Sequence, residues 1–291
     1  MVCRVVTDMT DEEYHQQLPL EEHSFSSSQI KTASKNGKKF HTEVVEGKKA
    51  TFGKVTQDAF TVGHYFHAYF LEPHKIKDFV VYSGKRAGAK WKEFEEENVD
   101  KTIMNPKMME DGQTLIDGVK ESAPSMKMLK VPFVSEISYF TELMGVPVKC
   151  RFDILHEDVK TKSGELIHIG GDLKSTSEAA LEDEDTLRKI IKNYGYALSY
   201  ALYRDVYEKV TGNKLEKWYW IFASKKFPNG KLVWASEEYY QLGRHQYRKG
   251  LEKIKELRAD NWEYKDKAIL LTPSAYEMTE VKKRKNEELD L

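Results

Sequence analysis

The chain has 291 residues, 40% hydrophobic and 12% aromatic, enough for one large domain or two small ones with a sizeable core. Forty-six Lys and Arg against 47 Asp and Glu leave a formal net charge of −1, so any nucleic-acid-binding face must be a local patch balanced by acids elsewhere. Two cysteines, Cys3 and Cys150, exclude a disulfide framework and a cysteine-built metal cluster, and no run reaches the ~18 apolar residues of a membrane span.

Residues 1–24 are polar, acidic and without a period, and read as a flexible N-terminal arm. The serines of SFSSSQIKTASK then cap a short helix starting near Gln29. Residues 58–72 carry Phe60, Phe66, Phe70 and Leu71 at helical spacing and stop at Pro73. KDFVVYS is a candidate short strand, and residues 84–98 are a loop and short helix around Trp91 and Phe94. Met108, Met109, Leu115, Ile116 and Val119 space an amphipathic helix over 107–122.

The middle of the chain changes period. FVSEISYFTEL (133–143), VKCRFDIL (148–155) and LIHIGGDLK (166–174) alternate and read as three antiparallel strands in a meander. One long helix is expected from EDEDTLRK to Gly212, with Leu187, Ile190, Ile191, Tyr194, Leu198 and Ala201 on its apolar face. WYWIFAS and KLVWAS flank FPNG as a hairpin, and a last helix spans about 237–258. The sum is an α/β (α+β) fold, a central mixed β-sheet flanked by helices. No composition break divides it, so we expect a single domain over 25–265 and a charged C-terminal tail over 266–291. Without a leader or a span, a soluble protein of a reducing cytoplasm is expected, with no membrane partner.

Alternation puts Lys149, Arg151 and Asp153 on one face of the second strand, and Asp172 and Lys174 on one face of the third with Leu173 inward. Glu136 in the first strand shares its face with Ser138. If the three strands are neighbours, Glu136, Asp153 and Asp172 converge. Three carboxylates together repel unless a cation sits among them, and oxygen donors suit Mg²⁺ or Mn²⁺ rather than zinc. A lysine two residues from such an aspartate is placed to steady an attacking water or a phosphate. The pair Gly170-Gly171 before Asp172 marks a bulge or a close backbone approach. Against this stands the plain reading of D-x-K as two solvated charges.

The series Glu136, K-C-R-F-D ending at Asp153, and D-L-K at 172–174 resembles the core of the PD-(D/E)XK nuclease superfamily. More narrowly, it is similar to the RecE-type (exonuclease VIII-like) exonucleases of phages and prophages. SSSQIK resembles the opening S-x-S-x-L-K element of that group. VGHYFHAYFLEP resembles its G-x-x-x-H-x-x-x-L-E-P helix, RAGAKWKEF its R-x-x-G-x-x-W-x-x-F segment, and YALSYALY its Y-x-x-Q-x-x-x-Y helix.

The resemblance implies a restriction-endonuclease-like core. Asp153, Asp172 and the backbone carbonyl of Leu173 would be metal ligands, with His67 and Glu136 completing the set and Lys174 as catalytic lysine. Two ions are implied, Mg²⁺ with Mn²⁺ able to substitute. His64 lies on a neighbouring face of the helix that carries His67. Arg151 would hold a DNA phosphate or steady Asp153, and Tyr196, Ser199 and Tyr203 would face DNA. Gly170 and Gly171 would be where the strand bends so that the DNA backbone comes close. Ser199 stands where the group has glutamine, which puts that helix's role in doubt; Tyr194, Tyr196, Tyr200 and Tyr203 also read as core or interface aromatics. The implied activity is a 5′ to 3′ exonuclease on duplex DNA ends, leaving 3′ single strands for recombination. A homo-oligomeric ring (trimer or tetramer), a single-strand annealing protein as partner and a bacterial host cytoplasm go with it. A single-strand or flap nuclease, or a decayed DNA-end-binding module, are the alternatives.

Overall fold

The structure, a computed structural model, describes residues 3–48, 51, 53–266, 268, 270–273 and 278–279. The charged run KKRKNEELDL of the expected tail lies outside the described residues.

In chain order, strand β1 (Arg4–Val6) precedes the short helices α1 (Asp11–His15), α2 (Ser27–Lys35) and α3 (Gly37–Phe40). A turn of π-helix (His41–Val45) leads to helix α4 (Lys54–Leu71). Proline 73 ends α4, because an X-Pro bond disfavours helical backbone in the residue before it; Glu72 sits at φ −138°, ψ 63°. A 3₁₀ turn (Pro73–Asp78), strand β2 (Phe79–Val81), helix α5 (Ala89–Glu97) and strand β3 (Thr102–Met104) follow. Helices α6 (Pro106–Glu121) and α7 (Ala123–Leu129) precede the strands β4 (Ile137–Leu143), β5 (Val146–Phe152), β6 (Ile154–Lys160) and β7 (Leu166–Thr176). Then come α8 (Glu184–Tyr194), α9 (Tyr196–Thr211), β8 (Leu215–Ser224), β9 (Gly230–Trp234) and α10 (Glu237–Ala259).

The expected meander is divided between two sheets. Strand β5 pairs antiparallel with β4, and β1 adds to the far edge of β4. Strand β6 pairs antiparallel with β7, β7 runs parallel to β8, and β8–β9 is the expected hairpin. Asp153 is the one residue between β5 and β6, where a continuous stretch of chain leaves one sheet for the other.

Two helical layers cover the β6-β7-β8-β9 sheet. Trp218, Trp220 and Phe222 of β8 pack with α2, α9 and α10, while Tyr219, Ile221 and Ala223 pack with α4 and α6. Leu173 joins the second layer, which turns Asp172 and Lys174 toward α9.

Four expectations are corrected. The long helix is two helices: Gly195 (φ 64°, ψ 41°) caps α8 in the left-handed region, and Tyr194 beside it is 54% exposed rather than buried. Glu136 lies just before β4, not inside a strand, with a left-handed backbone (φ 53°) that is uncommon for a residue with a side chain. The first 24 residues are not a loose arm. Strand β1 is hydrogen-bonded to β4, and Tyr14 of α1 is buried under the Lys149 and Arg151 side chains. Lastly, Gly170 and Gly171 open no space for DNA. A Cβ on Gly170 would come within 2.4 Å of the Trp218 ring, and one on Gly171 within 2.4 Å of the Tyr219 ring, so these glycines admit the aromatic rings of β8.

Candidate metal centre and catalytic lysine

Four elements deliver the site. Helix α4 carries His67, the turn before β4 carries Glu136, the β5–β6 joint carries Asp153, and β7 carries Asp172 and Lys174. One ligand atom each from His67, Glu136 and Asp153 lies within 4.8 Å of the others. Oδ2 of Asp153 accepts the Leu173 N–H at 3.0 Å, which locks the joint onto β7.

The imidazole of His67 donates from Nε2 to the Leu173 carbonyl at 2.7 Å. Its Nδ1 lies 3.7 Å from Asp153 Oδ2. Burial and the nearby Lys174 push the His67 pKa down to about 4, so the ring is neutral at pH 7 and keeps a lone pair on Nδ1. The Leu173 carbonyl is thus engaged with His67; its second lone pair remains.

Lys174 Nζ lies 2.5 Å from Asp172 Oδ1 and 3.8 Å from Asp153 Oδ2, above the Tyr196 ring at 5.5 Å. Burial opposes its charge, but the two carboxylates outweigh burial and hold the ammonium protonated. Asp172, 6% exposed, is turned to Lys174 and lies beside Asp153 without joining the His67–Glu136–Asp153 group. Burial raises its pKa to about 8 despite Lys174. Burial, then the neighbouring Asp153, raises Glu136 to about 8 as well. Both shifts come first from burial, which disfavours the charged carboxylate.

A family described as a PDDEXK-like domain of unknown function (DUF3799) matches residues 26–265. The chain belongs to that family. The fold agrees with that of a solved relative, the crystal structure of a "Putative exonuclease" from Eubacterium rectale, at TM-score 0.59 and 16% identity over 92% of this chain and 97% of that one. The crystal structure of SSO0001 superposes at TM-score 0.26 with 11% identity, over 67% of this chain and 85% of that one, too loosely to carry an argument. No curated protein matches the sequence.

In this PDDEXK-like domain the donor set fits an oxygen-preferring divalent cation: carboxylates of Glu136 and Asp153, a neutral imidazole with a free lone pair, and two further groups, Asp172 and the Leu173 carbonyl, next to them. The other expected residues are placed differently. Arg151 is buried and satisfied within the chain. It donates to Ser138 Oγ at 3.0 Å, to Asp11 at 2.6 Å and to the Met9 and Thr10 carbonyls, and it lies 3.8 Å from Glu136. Its guanidinium therefore ties the N-terminal segment to the site and steadies Glu136. On α9, Tyr203 lines the cleft that holds His67, Glu136 and Asp153, Ser199 is buried and Tyr196 lies beside Lys174.

The cleft, about 740 Å³, is also bordered by Glu72 of the L-E-P motif and by residues not singled out in the sequence, among them Asp11, Tyr14 and Lys75. Glu72 pairs with Lys75 at 2.7 Å and adds to the charge around Glu136. The sequence signal for the N-terminal pair is the capping box of Thr10 and Glu13, which marks α1 inside a polar stretch. Among the described residues no helix is long and apolar enough to cross a membrane.

Proposed function

We propose that this PDDEXK-like domain is a divalent-cation-dependent nuclease that degrades linear duplex DNA from its ends, 5′ to 3′, leaving a 3′ single strand. One observation carries the reading: Lys174 is held charged between Asp172 and Asp153, at the edge of a His67–Glu136–Asp153 group whose ligand atoms lie within 4.8 Å of one another. Repelling carboxylates beside a fixed ammonium suit phosphodiester hydrolysis, where negative charge builds on the phosphoryl oxygens.

His67, Glu136, Asp153, Asp172 and the Leu173 carbonyl would hold the cation, Mg²⁺ or Mn²⁺, with room in this donor set for two. When bound, such a cation supplies a water of lowered pKa and polarises the phosphoryl oxygens. The protein's own part is positional. Neutral His67 presents Nδ1, Asp153 is pinned by the Leu173 N–H, and Lys174 offers N–H donors to a water or phosphoryl oxygen. Action at ends rather than within strands follows the resemblance to RecE-type exonucleases, as do a ring of three or four copies, an annealing protein as partner and a bacterial cytoplasm.

The test is a time course on duplexes labelled at the 5′ or the 3′ end, with Mg²⁺, with Mn²⁺ and without either. Nucleotide release first from the 5′ label, absent without metal and abolished in Asp172→Ala and Lys174→Ala, is expected. No metal-dependent release by the wild type sinks the nuclease reading. Release from single strands or flaps alone replaces the end-specific reading with the single-strand one.

A further inference from the structure

Beyond Tyr196 the site meets a second cleft, of about 500 Å³, walled by α2, the α8–α9 corner and α10. Its walls are held at backbone distance: a Cβ on Gly250 of α10 would come within 2.5 Å of the Ile30 carbonyl oxygen on α2. Lys31, Lys35, Lys192 and Lys249 line it, and no acidic side chain does. A neighbouring groove along α10 shares His245 and Lys249 with it and adds Arg244 and Arg248, with Glu252 as its one acidic side chain. Among the described residues no ion pair holds Lys31, Lys35, Lys192, Arg248 or Lys249, while Arg244 is taken by Asp205 at 3.1 Å. In a chain of net charge −1, five cations from three helices without an ion pair, one of them Lys31 donating to the Tyr194 carbonyl at 2.7 Å, are a concentrated patch. Burial first, then Lys174 close by, pushes the Lys31 pKa down to about 8.

The patch adjoins the catalytic residues. Lys31 Nζ lies 6.0 Å and Lys174 Nζ 5.5 Å from the centre of the same Tyr196 ring. Tyr194 stacks on Tyr196 with centroids 5.6 Å apart and planes 14° apart, and Tyr194 is exposed. A basic groove beside stacked aromatic rings is how proteins hold single-stranded nucleic acid: cations follow the backbone and rings accept bases. In a duplex the base faces are covered by their neighbours, so an exposed tyrosine stack favours an unpaired strand.

We propose that this cleft binds a single-stranded nucleic-acid segment next to the catalytic site, its phosphates against Lys35, Lys192, Arg248 and Lys249 and an unpaired base on Tyr194. The proposal rests on the nuclease reading for its link to Lys174, but its test does not need cleavage.

Fluorescence anisotropy of a labelled oligothymidylate and of a blunt duplex of equal length, both in EDTA, measures binding across a salt series. The triple variant Lys35→Glu/Lys192→Glu/Lys249→Glu should bind the single strand at least tenfold more weakly. Its log-affinity against log-salt slope should fall by about 2, the release expected for three single-strand phosphate contacts. Tyr194→Ala should weaken single-strand binding severalfold without changing that slope, and Tyr194→Phe should restore it. These side chains sit on helix surfaces, so folding is checked by Tm; the single variant Lys192→Glu, with a smaller loss of the same kind, serves if the triple fails to fold. Unchanged single-strand binding overturns the proposal, as does an equal loss for the duplex. Equal competition by polyglutamate, lost in the same variants, assigns the cleft to an acidic protein instead. Strand binding without cleavage by the wild type sinks the nuclease reading alone; cleavage with unaltered binding in the variants sinks the cleft alone.

Discussion

The His67 ring donates from Nε2 to the Leu173 carbonyl, joining helix α4 to strand β7 across 106 positions of the chain at 2.7 Å. That bond fixes the tautomer, and with it the nitrogen that faces the carboxylates. His64, one turn earlier, borders the same cleft but is solvent-exposed and makes no such bond. His67→Ala should therefore weaken Mn²⁺ binding roughly 10–100-fold, the usual cost of losing a group that orders a metal site. His64→Ala should change it little. Calorimetric titration of the two variants decides, and equal effects undo the assignment.

The acidic cluster predicts a falling stability with pH in the metal-free protein. Glu136 and Asp172 keep their protons up to about 8, against ordinary values of 4.5 and 3.8. The unfolded chain ionises them earlier, so it binds fewer protons and gains on the folded state as pH rises toward 8. His67, pushed down to about 4 from 6.5, works in the opposite direction, but only below pH 6.5. Lys31 and Lys149, lowered to about 8, begin to contribute only above that value. The window from pH 6.5 to 8 thus isolates the carboxyls. Tm without metal should fall across it, and, if these carboxyls hold the metal as proposed, the Tm gain from Mn²⁺ should be larger at pH 8 than at 6.5, because a metal takes them ionised. Glu136→Gln should flatten the slope. A flat or rising Tm in wild type contradicts the burial of these acids.

Gly170→Ala and Gly171→Ala test what the two glycines are for. Each new Cβ would meet an aromatic ring of β8 at 2.4 Å. Overpacking of a filled core costs about 1–3 kcal/mol, so Tm should drop by several degrees. Measured below the lowered Tm, metal-dependent activity per folded molecule should survive, since neither glycine borders the cleft that holds His67, Glu136 and Asp153. Lost activity with an unchanged Tm would return these residues to the substrate side.

Strand alternation, the FPNG hairpin, the stop at Pro73 and the pairing of Asp172 with Lys174 were legible in the residues, because each is decided by local backbone chemistry. The sheet switch at Asp153 was not. VKCRFDIL alternates without a break, and only the partners β4 and β7, which are distant in sequence, divide it. Gly195 hid in the same way, since one glycine in a helical pattern is commonly tolerated and here packing selects the break. The basic cleft joins Lys35, Lys192 and Lys249 from three far-apart segments, so no local window contains it. The N-terminal segment was misread for a different reason: its polar composition conceals one buried ring, Tyr14.

That segment leads to the last prediction. Arg151 spans from Ser138 to Asp11 and to the Met9 and Thr10 carbonyls, while Lys149 donates to the Tyr14 carbonyl beside it. Removing the guanidinium leaves the buried Ser138 hydroxyl without its donor, a cost of about 1–3 kcal/mol, and lets Asp11 and the Met9 and Thr10 carbonyls of the surface segment turn to water. Arg151→Ala should therefore release residues 4–15 first. Amide exchange there should quicken by an order of magnitude or more while β7 and β8 stay protected. Glu136 would lose its nearest guanidinium, 3.8 Å away, so metal-dependent activity should fall as well. Arg151→Lys keeps the charge but not the fork of donors, and should rescue activity only in part. If exchange over residues 4–15 is unchanged while DNA affinity drops, Arg151 is a phosphate contact after all, and its bonds to the N-terminal segment are secondary.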